Sequence, residues 1–151
     1  MDDHVITITV LVENKVSRGG LIAEHGLSIW IETESGNLLW DTGQSRLLLA
    51  NAQKLGIDLT TTSHIVISHG HYDHTGGLAE VLKLRGKVDV HIHPHVFLER
   101  FSVIKTRNKE TKRFIGMPHK KTYLEFLGAH FIANQGVTEV GKNILLSGEV
   151  P

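Results

Sequence analysis

The ten residues Ser68-His-Gly-His-Tyr-Asp-His-Thr-Gly-Gly77 restrict this chain more than any other stretch. Three imidazoles and a carboxylate, His69, His71, Asp73 and His74, fall within six positions. In a core, four titratable groups so close would repel one another or compete for partners. A shared cation that takes neutral imidazoles together with a carboxylate removes the conflict, so the sequence predicts a metal site. The alternative is a set of surface or hydrogen-bonded core histidines. The apolar strand before the cluster and the glycines after it weigh against that.

Side chains 69, 71 and 73 of an extended chain share one face and His74 points away. Bringing all four together requires a turn, which Gly70, Gly76 and Gly77 are expected to permit through their backbone freedom. The cluster is then a loop at the C-terminal end of a buried strand, where sites of open α/β sheets form. It offers two pairs, His69 with His71 and Asp73 with His74, and hence two neighbouring ions.

The rest of the chain supplies a frame for such a loop. "VITITVLVEN" (5–14) reads as a strand with apolar positions on both faces. "LSIWIETESGNLLWDTG" (27–43) reads as a hairpin around Ser35-Gly36-Asn37. A helix is expected over 44–56 with Gly56 as its C-terminal cap, a strand over 63–68, and a helix over 76–86 capped by Thr75. A strand over 87–95 follows, then a basic stretch from Lys105 to Lys121. A helical turn and two strands, in "YLEFLGAHFIANQG" and "NILLSGEV", close the pattern. Antiparallel strands followed by strand–helix repeats predict an α/β domain with a mixed sheet.

Composition narrows the function. The 151 residues suit one domain, and 16 basic against 16 acidic residues give no global field for nucleic acid or an anionic membrane. With no cysteine, disulfides, thiolate ligands and cysteine nucleophiles are excluded. The start "MDDHVITITV" is acidic and lacks a signal-peptide pattern, and no apolar run reaches the roughly 18 residues of a membrane span. A soluble, cytoplasmic protein is the expectation.

His69-Gly-His71-Tyr-Asp73-His74 resembles the His-x-His-x-Asp-His signature of the metallo-β-lactamase superfamily. The resemblance extends through "SHIVISHGHYDHTGGL" and to "LLWDTG", whose Asp41 matches the upstream aspartate. "EHGLSIWIE", "HIHPHVF" and "LLSGEVP" are similar to the branch of dihydropterin–aminobenzene ribofuranosyl phosphate synthases and related bacterial metal-dependent hydrolases. The resemblance implies the N-terminal half of an αββα sandwich with a mixed sheet. It implies His69 and His71 in one metal site, Asp73 and His74 in the other, and Asp41 orienting the loop; Asp41 could equally serve as a turn cap. Catalysis would rest on Asp73 and Asp41 together with two divalent ions, zinc by default and manganese or iron as alternatives. The implied activity is a hydrolase that activates a metal-bound water against a small anionic, phosphate-bearing substrate. A transferase of the synthase type and a non-catalytic metal-binding fragment are the alternatives.

Two further regions carry expectations. His91, His93 and His95 alternate along a strand and either line a pocket, bind metal or pack a half-polar face, with His93 as a substrate contact. The basic stretch, with Arg107 and Arg113 as substrate contacts, is either a solvated loop or an anion-recruiting lid beside the metals; aromatic residues are too sparse there to favour nucleic acid. His4, His25 and His64 are not selected as site residues. Finally, the resemblance calls for a further histidine, an aspartate and a last histidine after "LLSGEVP". Residues 1–151 are therefore expected to be a single incomplete domain whose other half comes from missing chain or a partner.

Overall fold

The computed structural model describes residues 5–142 and 144–150; His4, Asn143 at the head of "NILLSGEV", and Pro151 lie outside them. Six strands form one mixed sheet in the order β1 (Thr7–Val12), β2 (Ser28–Thr33), β3 (Gly36–Trp40), β4 (Thr62–Val66), β5 (Val88–Ile92) and β8 (Ala129–Ala133). The first three pair antiparallel and the remaining pairings are parallel, as the mixed pattern predicts. Helices α1 (Leu47–Leu55), α3 (Leu78–Arg85) and α4 (Lys121–Phe126) make the crossovers. Between β5 and α4 the chain forms a separate ribbon of β6 (Phe101–Thr106) and β7 (Lys109–Phe114). A short hairpin, β9 (Thr138–Glu139) with β10 (Leu145–Leu146), ends the described chain.

Register explains the core. Trp30, Leu39, Ile65 and Val90 stand side by side across β2–β5, each no more than 1% exposed. Leu48 of α1, Leu78, Val81 and Leu82 of α3, and Leu124 of α4 cover them. Full burial of each such side chain contributes about 1.5–3 kcal/mol. At a bulge between Val10 and Val12, consecutive residues Leu11 and Val12 both turn inward, and Asn51 Nδ2 donates to the Leu11 carbonyl at 2.8 Å. This accounts for a strand with apolar residues on both faces.

The other sheet face is only partly covered. Leu38 and Val66 pack under Val140, Ile144 and Leu146, whereas Ile6, Ile8, Val10 and Trp40 remain 42–64% exposed. Among the described residues no helix is long and apolar enough to cross a membrane.

Several boundaries differ from the sequence reading. Helix α1 starts at Leu47 rather than residue 44. Thr75 does not cap α3: it closes a helical turn, α2 (Tyr72–Thr75), and donates its hydroxyl to the His71 carbonyl at 2.9 Å. Strand β5 ends at Ile92, because Pro94 opens a 3₁₀ turn over Pro94–Phe97. His91, His93 and His95 therefore share no strand face.

Candidate metal centre

Strands β3, β4 and β5 run parallel, so the chain leaves all three at one end of the sheet. Asp41 follows β3, Ser68 and His69 follow β4, and His93 follows β5. The cluster lies at this end, partly on a loop and partly on α2, whose N-cap is His71.

The four residues stand close together, with the His69 ring 4.7 Å from that of His71 and 4.1 Å from that of His74. His69 Nε2 lies 3.2 Å from His71 Nδ1, and His74 Nε2 lies 3.5 Å from Asp73 Oδ2. At such a distance one ring donates a hydrogen bond to the other in the metal-free protein. Burial pulls the His69 pKa below its ordinary value, and the neighbouring His74 and His71 add to the effect. The neutral ring this favours is the form that ligates a metal.

Asp41 organises the other pair. It is fully buried; Oδ1 accepts the Ser68 amide at 2.8 Å, and Oδ2 accepts the Ser68 hydroxyl at 2.6 Å. The same Oδ2 accepts from His74 Nδ1 at 2.7 Å, and His74 Nε2 faces Asp73. Burial opposes charge on His74, but the Asp41 hydrogen bond and charge outweigh it, with Asp73 adding, and its pKa is raised. Asp41 thus hydrogen-bonds to both Ser68 and His74. It also adopts φ +57°, the one described non-glycine residue with positive φ, where aspartate is better tolerated than most side chains. From this turn Thr42 N donates to the His74 carbonyl at 2.7 Å, and Gly76 N donates to the Gly43 carbonyl at 2.9 Å.

The glycines of the cluster serve differently from the expectation. Gly70, Gly76 and Gly77 have no positive φ. A Cβ on them would collide with the carbonyls of Val96, Gln44 and Thr42 respectively. Close packing of the loop against β5's turn and the Asp-Thr-Gly turn excludes side chains there.

His25, not selected from sequence, stands at the cluster. Its Nε2 lies 3.3 Å from Asp73 Oδ2 and its Nδ1 lies 2.9 Å from Asn14 Oδ1. No periodicity in "AEHGLS" signals this contact.

The remaining candidates divide. A cavity of about 710 Å³ is lined by Trp40, Val66, His91, His93, His95, Arg100 and the segment 144–150, and reaches the cluster only through Ser68. Among the described residues, His93, His95 and Glu149 form the group of three whose ligand atoms lie within 4.8 Å of one another. Metal binding there conflicts with the His93 tautomer. His93 Nδ1 accepts the His95 amide at 3.1 Å, so a neutral ring carries its proton on Nε2, the atom 3.1 Å from Glu149 Oε1. That Nε2 is buried and the carboxylate lies off its N–H direction, leaving the donor without a hydrogen bond. His93 is therefore a donor on the cavity wall. His91 is buried on the partly covered sheet face between Asn134 Oδ1 (3.2 Å) and His64 Nδ1 (3.4 Å).

The basic stretch is a ribbon rather than a loop, rooted in the cluster through Tyr72 N donating to the Ile115 carbonyl at 3.1 Å. Arg113 lies over the Tyr72 ring, 5.3 Å from its centroid. Arg107 is in the turn beyond the Thr106–Lys109 pair, about 13 Å along the ribbon from Arg113 at 3.3 Å per residue. The structure brings Arg113 to the cluster and leaves Arg107 outside it.

Comparison with known proteins places these features in context. Residues 21–150 match the family model described as the metallo-beta-lactamase superfamily. An uncharacterized protein of Methanocaldococcus jannaschii is 30% identical over 95% of this chain and 53% of its own length. From the same organism, the 7,8-dihydropterin-6-methyl-4-(beta-D-ribofuranosyl)-aminobenzene-5'-phosphate synthase is 29% identical over 85% of this chain and 45% of its own. The chain thus spans about half the length of these relatives. Among solved structures, a subclass B3 metallo-beta-lactamase from a soil metagenome library superposes with TM-score 0.52 at 20% identity, covering 80% of this chain and 44% of that one. One from Bradyrhizobium japonicum superposes with TM-score 0.51 at 23% identity, covering 77% and 42%. These likenesses concern the fold.

Proposed function

The chain belongs to the metallo-beta-lactamase superfamily, and on that premise we propose that it holds two divalent ions and acts as a hydrolase-type enzyme on a small phosphate-bearing substrate. The observation that carries this reading is the gathering of His69, His71, Asp73 and His74 at one end of the sheet around the buried Asp41. His74 Nδ1 lies 2.7 Å from buried Asp41 and its Nε2 3.5 Å from Asp73, while His69 Nε2 lies 3.2 Å from His71 Nδ1 and the His69 ring 4.1 Å from that of His74. Nitrogen and oxygen donors of this kind suit zinc, with manganese or iron also compatible. Ions in such a site supply a water of lowered pKa and polarise the substrate oxygen that gains charge.

The chain's own residues do the rest. Asp41 fixes the His74 ring and, through Ser68, the start of the ligand loop. Asp73 ligates and offers a carboxylate to orient the attacking group. Arg113, stacked on Tyr72 between His71 and Asp73, binds the substrate's anionic part, and His93 Nε2–H offers a neutral donor on the cavity wall. The partner is a small anion; nothing in the site favours a polymer.

A transferase is the second reading, supported by the relative whose name describes a phosphate synthase. A panel of phosphomonoester, phosphodiester, lactam and thioester substrates, offered to zinc- and manganese-loaded protein, separates the readings. Phosphoester turnover that disappears in Asp73→Ala is expected. Metal uptake with no hydrolysis of any ester would overturn the hydrolase in favour of the transferase or a purely metal-binding role.

A further inference from the structure

The strand ends that carry the cluster also make the floor of the cavity. Trp40, Val66 and His91 stand side by side across β3, β4 and β5, on the sheet face away from the helices. Asp41 follows Trp40 directly, and His69 follows Val66 after Ile67 and Ser68, so the floor runs up to the ligand loop. Farther from the cluster the floor is apolar, with Ile31 and Leu38 paired across β2 and β3. At about 710 Å³ the cavity falls within the roughly 300–1,000 Å³ of small-molecule sites.

The walls are held open. Segment 144–150 is fixed at one end by Val140 N donating to the Ile144 carbonyl at 2.8 Å, and at the other by Glu149 N donating to the Gln135 carbonyl at 2.9 Å. At the end wall, Arg100 donates to the carbonyls of His95 and Leu98 at 3.1 Å and of Val96 at 3.3 Å. The Val96 carbonyl packs on Gly70, which ties this wall to the ligand loop. Two features then call for an occupant. Trp40 is 42% exposed and Leu145 68%, an aromatic floor and an aliphatic wall that gain by leaving water. His93 Nε2 is buried without a hydrogen bond, a donor that a bound organic group can satisfy. A phosphate alone buries no apolar surface, and Glu149 Oε1, 3.1 Å from His93 Nε2, repels an anion at this end. The phosphate belongs on the Arg113 side and something apolar belongs here.

Resting on the phosphate-bearing reading above, we infer that the substrate carries an apolar, ring-sized organic group beside its phosphate, and that this group lies in the cavity against Trp40. The test is a titration of the chain, metal-free and zinc-loaded, with phenylphosphonate and methylphosphonate, followed by calorimetry and tryptophan fluorescence. The two probes share an anionic head and differ by a ring against a methyl group. Wild type binds phenylphosphonate about tenfold more tightly, with a fluorescence change that Trp40→Ala abolishes. Trp40→Ala also brings the two affinities within about threefold and leaves that for methylphosphonate unchanged, which shows that the anion site keeps its fold. Leu145→Gln, at an exposed wall position where folding is not at stake, lowers the preference for the ring by about threefold. Equal binding of the two phosphonates by wild type, or a preference that survives both substitutions, overturns the inference while the phosphate reading stands. If neither phosphonate binds in either metal state, both fall.

Discussion

Asp41 Oδ2 lies 2.7 Å from His74 Nδ1 across 33 residues of sequence, with the carboxylate wholly buried and its backbone at φ +57°. One side chain therefore holds the His74 ring, anchors Ser68 and occupies a backbone conformation few residues tolerate. Asp41→Ala removes three hydrogen bonds to the buried carboxylate, two from Ser68 and one from His74. It should lower stability by about 3 kcal/mol and metal affinity by about 10- to 100-fold. Asp41→Asn keeps the turn but places an amide where a carboxylate accepts three donors, so denaturant midpoints should recover in part while metal affinity does not. Chemical denaturation and metal titration of the two variants check this.

Close packing at Gly76 makes a separate prediction. A methyl group there meets the Gln44 carbonyl, and neither backbone is free to yield because Gly76 N is bonded to Gly43. Gly76→Ala should destabilise by about 2 kcal/mol and loosen the metal site. Gly56→Ala, with open space around its Cβ but φ +74°, should cost only about 1 kcal/mol and leave metal binding intact. Thermal unfolding with metal content measured in parallel distinguishes the two.

These contrasts show where sequence carried the structure. The cluster was legible because its four candidate ligands are contiguous and local spacing alone pairs them. The mixed sheet was legible because β1–β5 are apolar runs bounded by turn residues. His25 was not, since it is a lone histidine whose meaning depends on a contact 48 residues away. The β6–β7 ribbon also escaped: its two-residue turn, Arg107-Asn108, lacks the glycine that marks tight hairpins, and "KETKRF" has no apolar alternation. The purpose of Gly70, Gly76 and Gly77 lay in which carbonyls approach them, which only the folded chain reveals.

Acid should weaken the metal-free fold through His91. Burial lowers its pKa below the ordinary 6.5; the His64 charge adds to this and the Asn134 hydrogen bond opposes it. The unfolded chain therefore binds this proton at higher pH than the folded chain. The resulting stability is fully present above about 6.5 and is lost as pH falls through the folded-state value. His69 acts in the same direction. The raised pKa of His74 acts oppositely, with stability present below the ordinary value and lost as pH rises through the folded one. Urea midpoints between pH 7.5 and 5 should thus fall less steeply in His91→Asn than in wild type. Parallel curves would show that His91 is neutral to the transition.

The ribbon separates contact from diffuse attraction. Arg113 and Lys109 share the ribbon face that meets Tyr72, whereas Lys105 and Lys112 share the opposite face with Glu110, which pairs with Lys105 at 3.3 Å. Arg113→Gln/Lys109→Gln and Lys105→Gln/Lys112→Gln change the net charge equally. The first should raise the KM for a phosphorylated substrate by about tenfold and the second by about twofold or less. Equal effects would assign the ribbon to general electrostatic attraction.

The central claim is that the cluster forms two ion sites from two residue pairs. Elemental analysis of zinc-loaded protein tests it most directly, comparing wild type with His69→Ala/His71→Ala and with Asp73→Ala/His74→Ala. The proposed two-ion site predicts about two ions in wild type and about one in each double variant. Unchanged metal content in either variant, or loss of all metal in both, would contradict the claim.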